Sequence, residues 1–515
     1  MQAKTISTET YEVRHHVVDG SLRILLAEAL ILPTGLVTAA FLTRHLGPTG
    51  YGLFTLASVV VLWIEWCVTS IFSRSTVKLI GDADDWRPWG ATIVRFHLFA
   101  GLVAALLLWC LSSRLAAFMN EPELGSCLRL FAFDIPLFSL ATAHRDILVG
   151  TGRYRQRAQV SAARWLIRLA FMLLLVGLGL SVKGAIWASI GASVFDLAIA
   201  RFYSRPPLFG SFALPLRQLW QYALPLFLSG LTLRLFEKLD LLTLKALGAT
   251  AALAGIYGAA QNLTIVPGLV GLALAPVLLC ALTHTLRAGE FPIAQALGRD
   301  AVRSVVCLLP FAAMVAGAAP AITTLILGSA FAPAAPLLAL LIFASWARLL
   351  LAVTTAILIS ADKPGSVLAL SAPLVPLAMV AQLMVIPRVG AWGAAMVTTV
   401  FSVLLVGASL IAVYRTWRIA PSLVTLGKTS VISGFAYVAA AAWPATGTML
   451  LIKLGATTLL IFAAFCIVGE LGTAEVALIR GALRSQIPGS AEVCLPGFAP
   501  AREQSTKGSH VTAGN

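Results

Sequence analysis

The sequence predicts an all-α membrane protein whose chain crosses a bilayer about fourteen times. Hydrophobic residues make up 59% of its 515 residues and charged residues only 11%, and the mean hydropathy is +0.90. A water-soluble domain needs a more polar surface than this composition supplies. The apolar runs are about 20 residues long, as membrane-spanning helices are, whereas the strands of a membrane barrel alternate over about 10 residues. Helices are therefore expected.

The apolar windows define the predicted spans in chain order. The first half of the chain has spans at residues 22–43, 52–72, 91–113, 127–149, 160–180 and 184–203. The second half has spans at residues 222–244, 255–282, 303–327, 333–360, 366–387, 391–413, 429–447 and 449–471. The final 40 or so residues are rich in Gly, Pro, Ser and Thr and are expected to be disordered.

Lys and Arg residues alternate in density between successive loops, which predicts the orientation of the chain. The basic loops include Arg153 to Arg157 and Arg201 to Arg217, whereas the opposite loops carry isolated cations such as Arg44 and Lys245. Cationic loops stay in the cytoplasm. Both termini are therefore expected there. The +15 net charge is scattered rather than gathered on one stripe, so no nucleic-acid partner is expected.

One pattern recurs after spans 1 and 7: a basic residue, Leu-Gly, a small-residue turn, then Gly and Tyr in the next span. The copies begin at Arg44 and Lys245. Six spans separate them, so both copies run in the same direction and predict two parallel six-helix lobes about a pseudo-twofold axis along the membrane normal. The expected organisation is a cytoplasmic segment 1–21, an N-lobe 22–203, a cytoplasmic linker 204–221, a C-lobe 222–413, a C-terminal helix pair 429–471 and a cytoplasmic tail 472–515. Chance occurrence of such short motifs is the alternative.

Span 7 holds the densest set of intramembrane charges: Arg234, Glu237, Lys238 and Asp240. A charge inside a membrane is costly unless it faces a cavity or a partner. Arg234 lies roughly 18 Å from the start of the span, and Lys238 follows it by one helical turn. The pair is predicted to bind phosphate in a cavity, with Glu237 or Asp240 as a counter-ion or coupling-ion ligand. The alternative is a self-neutralising cluster that stabilises packing.

Other spans contribute further candidates. Arg164 and Arg168 share one face of span 5 and are predicted to form a basic approach for an anionic headgroup, with Arg348 of span 10 as an additional cavity cation. Snorkelling to the interface is the alternative for the span 5 pair. Glu65 and Asp134 are predicted to bind a coupling proton or sodium ion, or else to form structural ion pairs.

The segment Arg44-His45-Leu46-Gly47-Pro48-Thr49-Gly50-Tyr51-Gly52-Leu53-Phe54 resembles the start of the polysaccharide-biosynthesis flippases, the Wzx-type branch of the multidrug/oligosaccharidyl-lipid/polysaccharide (MOP) exporter superfamily. The stretch from Ala223 through Asp240 to Tyr257 is also similar to that family. The resemblance implies two six-helix lobes and the translocation of undecaprenyl-diphosphate-linked oligosaccharide across a bacterial inner membrane, for exopolysaccharide, capsule or O-antigen. It further implies a monomeric transport unit that works beside a polysaccharide polymerase and chain-length machinery.

Two other functions are weighed against this one. Multidrug or metabolite efflux belongs to the same superfamily, but cationic drugs favour an acidic cavity. A polysaccharide polymerase or ligase usually carries a long polar loop, which the span map lacks. No nucleophile–base pair, metal-ligand cluster or cofactor motif is evident, so a transporter rather than an enzyme is expected. Membrane potential, H⁺ or Na⁺ antiport and product removal all stay open as energy sources.

Overall fold

The structure is a computed structural model that describes residues 20, 23–83, 85–207, 238–362, 364–419, 421–443 and 447–470. Within these residues the chain is helical and contains no strand. The predicted all-α membrane fold class is confirmed. Residues up to Ile461 form one compact unit. A second begins at Phe462, and its described residues 462–470 contain the end of the last helix.

The helices are numbered here in chain order. They are α1 (Ile31–Asp82), α2 (Arg87–Phe118), α3 (Pro122–Phe131), α4 (Asp134–Gly150), α5 (Tyr154–Gly177), α6 (Ser181–Ser204), α7 (Ala251–Leu263), α8 (Ile265–Arg287), α9 (Phe291–Val306), α10 (Leu309–Gly317), α11 (Ala319–Leu327), α12 (Ala335–Ser360), α13 (Pro364–Val389), α14 (Ala391–Trp417), α15 (Leu423–Ala442) and α16 (Met449–Ile467). Residues 23–29 and 238–246 are also helical, and a 3-10 turn (Ser329–Ala334) precedes α12.

Twelve helical segments in the described part of the chain are long and apolar enough to cross a membrane. The first of them, Arg23–Ser70, has 48 residues and covers all but the outermost residues of predicted spans 1 and 2. Most of predicted span 7 lies outside the described residues. The chain is therefore a multi-pass membrane protein, and the number of fourteen spans stays a prediction.

Helix α1 is divided at Gly47, the predicted boundary between spans 1 and 2. Its 52 residues would measure about 78 Å if straight, far more than the roughly 30 Å hydrocarbon core. Gly47 has φ 65°, outside the helical range, and Pro48 follows it. Glycine adopts this backbone conformation without the steric cost of a Cβ atom, and proline suits the first turn of the helix that follows. The Leu-Gly-Pro sequence therefore ends one helix and begins another.

Two predicted spans in the second half are interrupted. Span 8, predicted at 255–282, consists of α7 and α8, which are separated at Thr264. Span 9, predicted at 303–327, begins earlier with α9 and continues through the short helices α10 and α11. Each of these three helices has a proline in its first turn, where the missing N–H group costs no helical hydrogen bond.

Packing within the larger unit brings the two halves of the chain together at α1. This helix packs against α4, α5 and α6 of the first half and also against α7 of the second half. In the second half, α12 packs against α8 and α14, and the buried side chains around Val353 and Ile357 form a large apolar core. Helix α1 is therefore the element that joins the halves beside the candidate site.

Candidate functional site

A cavity with a mainly apolar and aromatic lining lies where α1 meets Phe138 of α4 and Lys238 of the second half. Its volume is about 240 Å³. Its lining among the described residues consists of Val59, Leu62, Trp63, Glu65, Trp66, Thr69, Phe138 and Lys238. The cavity therefore uses both halves of the chain and contains two of the predicted site residues, Glu65 and Lys238.

Helical spacing explains why α1 supplies most of this lining. Residues three and four positions apart lie on the same side of a helix. Trp63 and Trp66 obey this spacing, and Val59 and Thr69 continue the same face in either direction. Glu65 lies beside this stripe. One wall of the cavity therefore presents two indole rings and a carboxylate.

Glu65 is only 3% exposed although it lines the cavity. Within the described residues its Oε1 atom has no hydrogen-bond partner. The charges of Asp134, Arg164 and Arg168 act on this carboxylate. The structure thus brings together four of the residues that the sequence analysis selected from spans 2, 4 and 5.

Lys238 reaches the cavity from the second half of the chain. Its Nζ atom donates a hydrogen bond to Oε1 of Gln261 on α7 at 3.0 Å. The amide nitrogen of Gln261 in turn donates to both carboxylate oxygens of Asp240 at 2.9 Å. Gln261 therefore links the cavity lysine to a buried carboxylate.

Asp240 is fully buried and accepts hydrogen bonds from neutral donors. The hydroxyl of Tyr257 donates to it at 2.6 Å and that of Thr398 at 3.0 Å. The backbone N–H of Leu241 donates at 2.8 Å. No ion pair within 4 Å involves Asp240 in the described part of the chain. Its oxygens are therefore occupied by α7 and α14, and its predicted role as an ion ligand stays a prediction.

A cluster of buried charges lies next to Phe138 in the first half. Arg145 forms an ion pair with Asp196 at 3.0 Å, and the Nε atom of Arg164 lies 3.6 Å from the same carboxylate oxygen. The guanidinium carbon of Arg164 is 4.5 Å from the centre of the Phe138 ring, and that of Arg145 is 5.2 Å from it. Both distances allow cation–π attraction. Arg164 is thus held by Asp196 and the Phe138 ring.

Arg168 and Asp134 complete the predicted set in the first half. The Nε atom of Arg168 is buried and has no hydrogen-bond partner among the described residues. Asp134 forms a hydrogen bond with Ser193, while its Oδ1 atom has no partner there. Counting Glu65, Asp134 and Asp196 against Arg145, Arg164 and Arg168 gives three formal charges of each sign. The three carboxylates therefore balance the positive charge of this cluster, which includes the arginines that were predicted to form a basic approach for an anionic headgroup.

Three predicted site residues remain, namely Arg234, Glu237 and Arg348. Arg234 and Glu237 lie outside the described residues. Arg348 on α12 is half-buried, and its charge acts on Tyr257 beside the Asp240 network. Among the described residues, Lys238 is the predicted cation whose side chain lines the cavity.

Sequence reasoning missed two features of this site. Arg145 was not among the predicted site residues, because nothing in the sequence shows that it faces Asp196, which follows it 51 residues later on α6. The aromatic lining was also missed, although the spacing of Trp63 and Trp66 around Glu65 in span 2 could have indicated it. Within the described residues no group of three or more His, Cys, Asp or Glu side chains could hold a metal ion.

Comparison with protein families gives a match to the model described as "Polysaccharide biosynthesis protein" over residues 41–336, more than half of the chain. No match was found among curated protein sequences. The matched range contains the cavity lining and the charge cluster.

Solved structures share the fold. The lipid II flippase MurJ in an inward closed conformation aligns with a TM-score of 0.69 at 12% identity, covering 87% of this chain and 98% of that chain. A mutant of the MATE transporter VcmN from Vibrio cholerae aligns with a TM-score of 0.54 at 17% identity, and the alignment covers 80% of this chain and 98% of that chain. An outward-facing multidrug resistance MATE family transporter of the MOP superfamily aligns with a TM-score of 0.54 at 14% identity, and the alignment covers 81% of this chain and 96% of that chain. At these identities the matches establish that the chain shares the fold of these proteins.

Proposed function

The chain belongs to the polysaccharide biosynthesis protein family, and from this we propose that it is a flippase for undecaprenyl-diphosphate-linked oligosaccharide. It takes the lipid-linked glycan at the cytoplasmic face of the bacterial inner membrane and releases it on the other side by alternating access. The product serves exopolysaccharide, capsule or O-antigen synthesis.

The observation that carries this proposal is the cavity shared by the two halves of the chain, whose lining contains the charged residues Lys238 and Glu65. A sugar diphosphate cannot cross hydrocarbon unaided, so its carrier needs a polar cavity with cations for the phosphates and hydrogen-bonding groups for the hydroxyls. The lipid tail can stay in the bilayer. A lysine at this place supplies the charge that a diphosphate requires.

The predicted site residues have distinct roles in this proposal. Lys238, together with Arg234, binds the diphosphate. Arg168 is a further phosphate ligand because its Nε atom has no partner among the described residues, whereas Arg164 is held by Asp196. Glu65 is the coupling group for H⁺ or Na⁺, since its Oε1 atom has no partner in the described part of the chain.

Lys238→Glu tests the proposal in cells. We expect surface polysaccharide export to be lost while the protein remains in the membrane, because a carboxylate repels the diphosphate. Lys183→Glu is the matched control: it reverses the charge of an exposed lysine that is not part of the cavity lining. Normal export in the Lys238 variant, with both proteins present at native levels, would contradict the proposal.

Efflux of organic cations is the second candidate, and the aromatic lining around Glu65 favours it. Aromatic rings and a carboxylate attract protonated amines. Lys238 opposes this function because it places a positive charge in the same cavity. Deletion of the gene decides between the two: the flippase proposal expects loss of surface polysaccharide with unchanged drug tolerance, and efflux expects the reverse.

A further inference from the structure

We infer that Trp63 and Trp66 form a stacking platform that recognises a sugar ring of the glycan inside the cavity. This inference rests on the proposed function and adds which part of the lipid-linked glycan the described cavity binds. It assigns a role to residues of α1 that neither the charge pattern nor the family match explains.

The first support is the composition of the wall. Trp63 and Trp66 lie one turn apart on α1, are half-buried, and line the cavity together with Phe138. Bulky aromatic rings in a membrane-spanning helix need no cavity, since they can face lipid, as Trp187 on α6 does with 48% of its surface exposed. The two indoles of α1 instead lie beside a carboxylate and a lysine.

The second support is the chemistry of a sugar ring. A pyranose has an apolar face of C–H groups and a rim of hydroxyls. The C–H groups carry a small positive charge that matches the negative face of an indole ring. The hydroxyls need hydrogen-bond partners, because an unsatisfied buried polar group is costly. Glu65 lines the cavity, and its buried Oε1 atom has no hydrogen-bond partner among the described residues, while Lys238 adds an ammonium donor group.

The third support is the size of the cavity. Pockets for drug-sized ligands occupy roughly 300–1,000 Å³. This cavity, at about 240 Å³, suits one sugar residue rather than a whole oligosaccharide or a long apolar tail. Because Lys238 binds the diphosphate, the sugar that reaches the cavity is the one attached to the diphosphate.

An organic cation fits the same wall less well. Lys238 lines the cavity and repels a second positive charge. The ring of Phe138 already attracts the guanidinium groups of Arg164 and Arg145. The lining therefore favours a neutral, hydroxyl-rich ring attached to an anion.

The experiment measures binding of two probes to the purified full-length protein in detergent. One probe is the lipid-linked oligosaccharide purified from the native membrane, and the other is undecaprenyl diphosphate without sugar. Trp63→Leu and Trp66→Leu keep an apolar side chain but remove the aromatic face. We expect each variant to bind the glycan-bearing lipid about tenfold more weakly and to bind undecaprenyl diphosphate as the native protein does.

Three comparisons make the result decisive. Trp187→Leu, outside the cavity lining, should bind both probes normally. Trp63→Phe should keep most of the affinity because it keeps an aromatic face. A thermal unfolding temperature equal to that of the native protein shows that each variant is folded.

Two outcomes would overturn the inference in different ways. If the folded Trp63 and Trp66 variants bind both probes as the native protein does, or lose both equally, the sugar platform is wrong while the proposed flippase function stands. If the native protein binds neither probe, the proposed function itself fails and the platform fails with it.

Discussion

Asp196 is the buried carboxylate that holds two arginines in the first half of the chain. It is fully buried, lies 3.0 Å from Arg145 and 3.6 Å from Arg164, and thereby fixes the guanidinium groups that lie against Phe138. Charges inside a membrane protein persist where they pair or line a polar cavity. Removing one partner leaves the others uncompensated, which costs far more than the pair contributes by itself.

Asp196→Asn should therefore destabilise the protein by about 3–5 kcal/mol. The substitution keeps the shape of the side chain but leaves Arg145 and Arg164 without their shared carboxylate. Thermal unfolding of the purified protein measures the effect. Glu290→Gln, the same change at an exposed residue before α9, should leave the unfolding temperature unchanged. Equal unfolding temperatures for Asp196→Asn and the native protein would show that the ion pair does not support the fold.

Gln261 connects the second buried carboxylate to the cavity. Its side chain accepts from Lys238 and donates to Asp240. Gln261→Leu removes both contacts, and we expect the transport rate to fall about tenfold, since a hydrogen bond to a charged group contributes about 1.5–3 kcal/mol. Thr398→Val removes a different donor to Asp240 without touching Lys238. It should lower stability with a smaller effect on transport. If both variants transport equally well, Gln261 does not position the lysine.

At the scale of elements, the two halves approach each other closely where α1 crosses α7 at Gly52 and Gly255. A Cβ atom on Gly52 would lie 1.9 Å from the carbonyl oxygen of Ala251, and one on Gly255 would lie 2.2 Å from that of Pro48. Only glycine fits such an approach of backbones. These glycines belong to the two copies of the repeated Gly and Tyr pattern, so the copies meet face to face. The pseudo-twofold axis itself stays a prediction.

Gly52→Ala and Gly255→Ala should each push α1 and α7 apart at a cost of about 1–3 kcal/mol. Thermal unfolding and transport should both suffer. Gly35→Ala on the same helix α1 is the matched control, because a Cβ atom there meets nothing within 4 Å. It should be neutral or stabilise by up to about 1 kcal/mol. A crossing variant as stable as the Gly35 variant would contradict the tight contact.

The helices and the break between the first two spans could be predicted from the sequence, whereas the contacts between distant helices could not. Long apolar runs and the Leu-Gly-Pro break fixed the helical class and the boundary at Gly47, because both are local properties of the chain. Lys238 and Glu65 were selected because charges in apolar runs are costly. Their shared cavity, and the pairing of Arg145 with Asp196, depend on contacts between distant helices, which a single sequence does not reveal.

At the scale of the whole molecule, two polar contacts join the halves at the loops predicted to face away from the cytoplasm. Arg44 donates to the carbonyl oxygen of Leu325 at 2.5 Å. Lys245, only 2% exposed, forms an ion pair with Glu121 at 2.9 Å. Alternating access requires one side to close while the other opens. These contacts lie where closure on the non-cytoplasmic side is expected.

Exchanging the charges of the ion pair tests this closure. Lys245→Glu alone places two carboxylates together and should lower transport about tenfold, since the lost attraction is worth roughly 1.4 kcal/mol. The double variant Lys245→Glu, Glu121→Lys restores opposite charges and should recover most of the rate. A double variant as slow as the single one would show that the attraction between these side chains plays no part in closure.

The central claim, that the protein moves lipid-linked glycan across a membrane, is tested most directly in vesicles containing the purified protein and lipid-linked oligosaccharide in both leaflets. A glycosidase added outside removes only the glycan that it can reach. With the native protein, the account predicts that glycan from both leaflets is removed, whereas Lys238→Glu vesicles lose only the outer leaflet's share, as protein-free vesicles do. Native-protein vesicles that keep the inner leaflet's glycan would contradict the account.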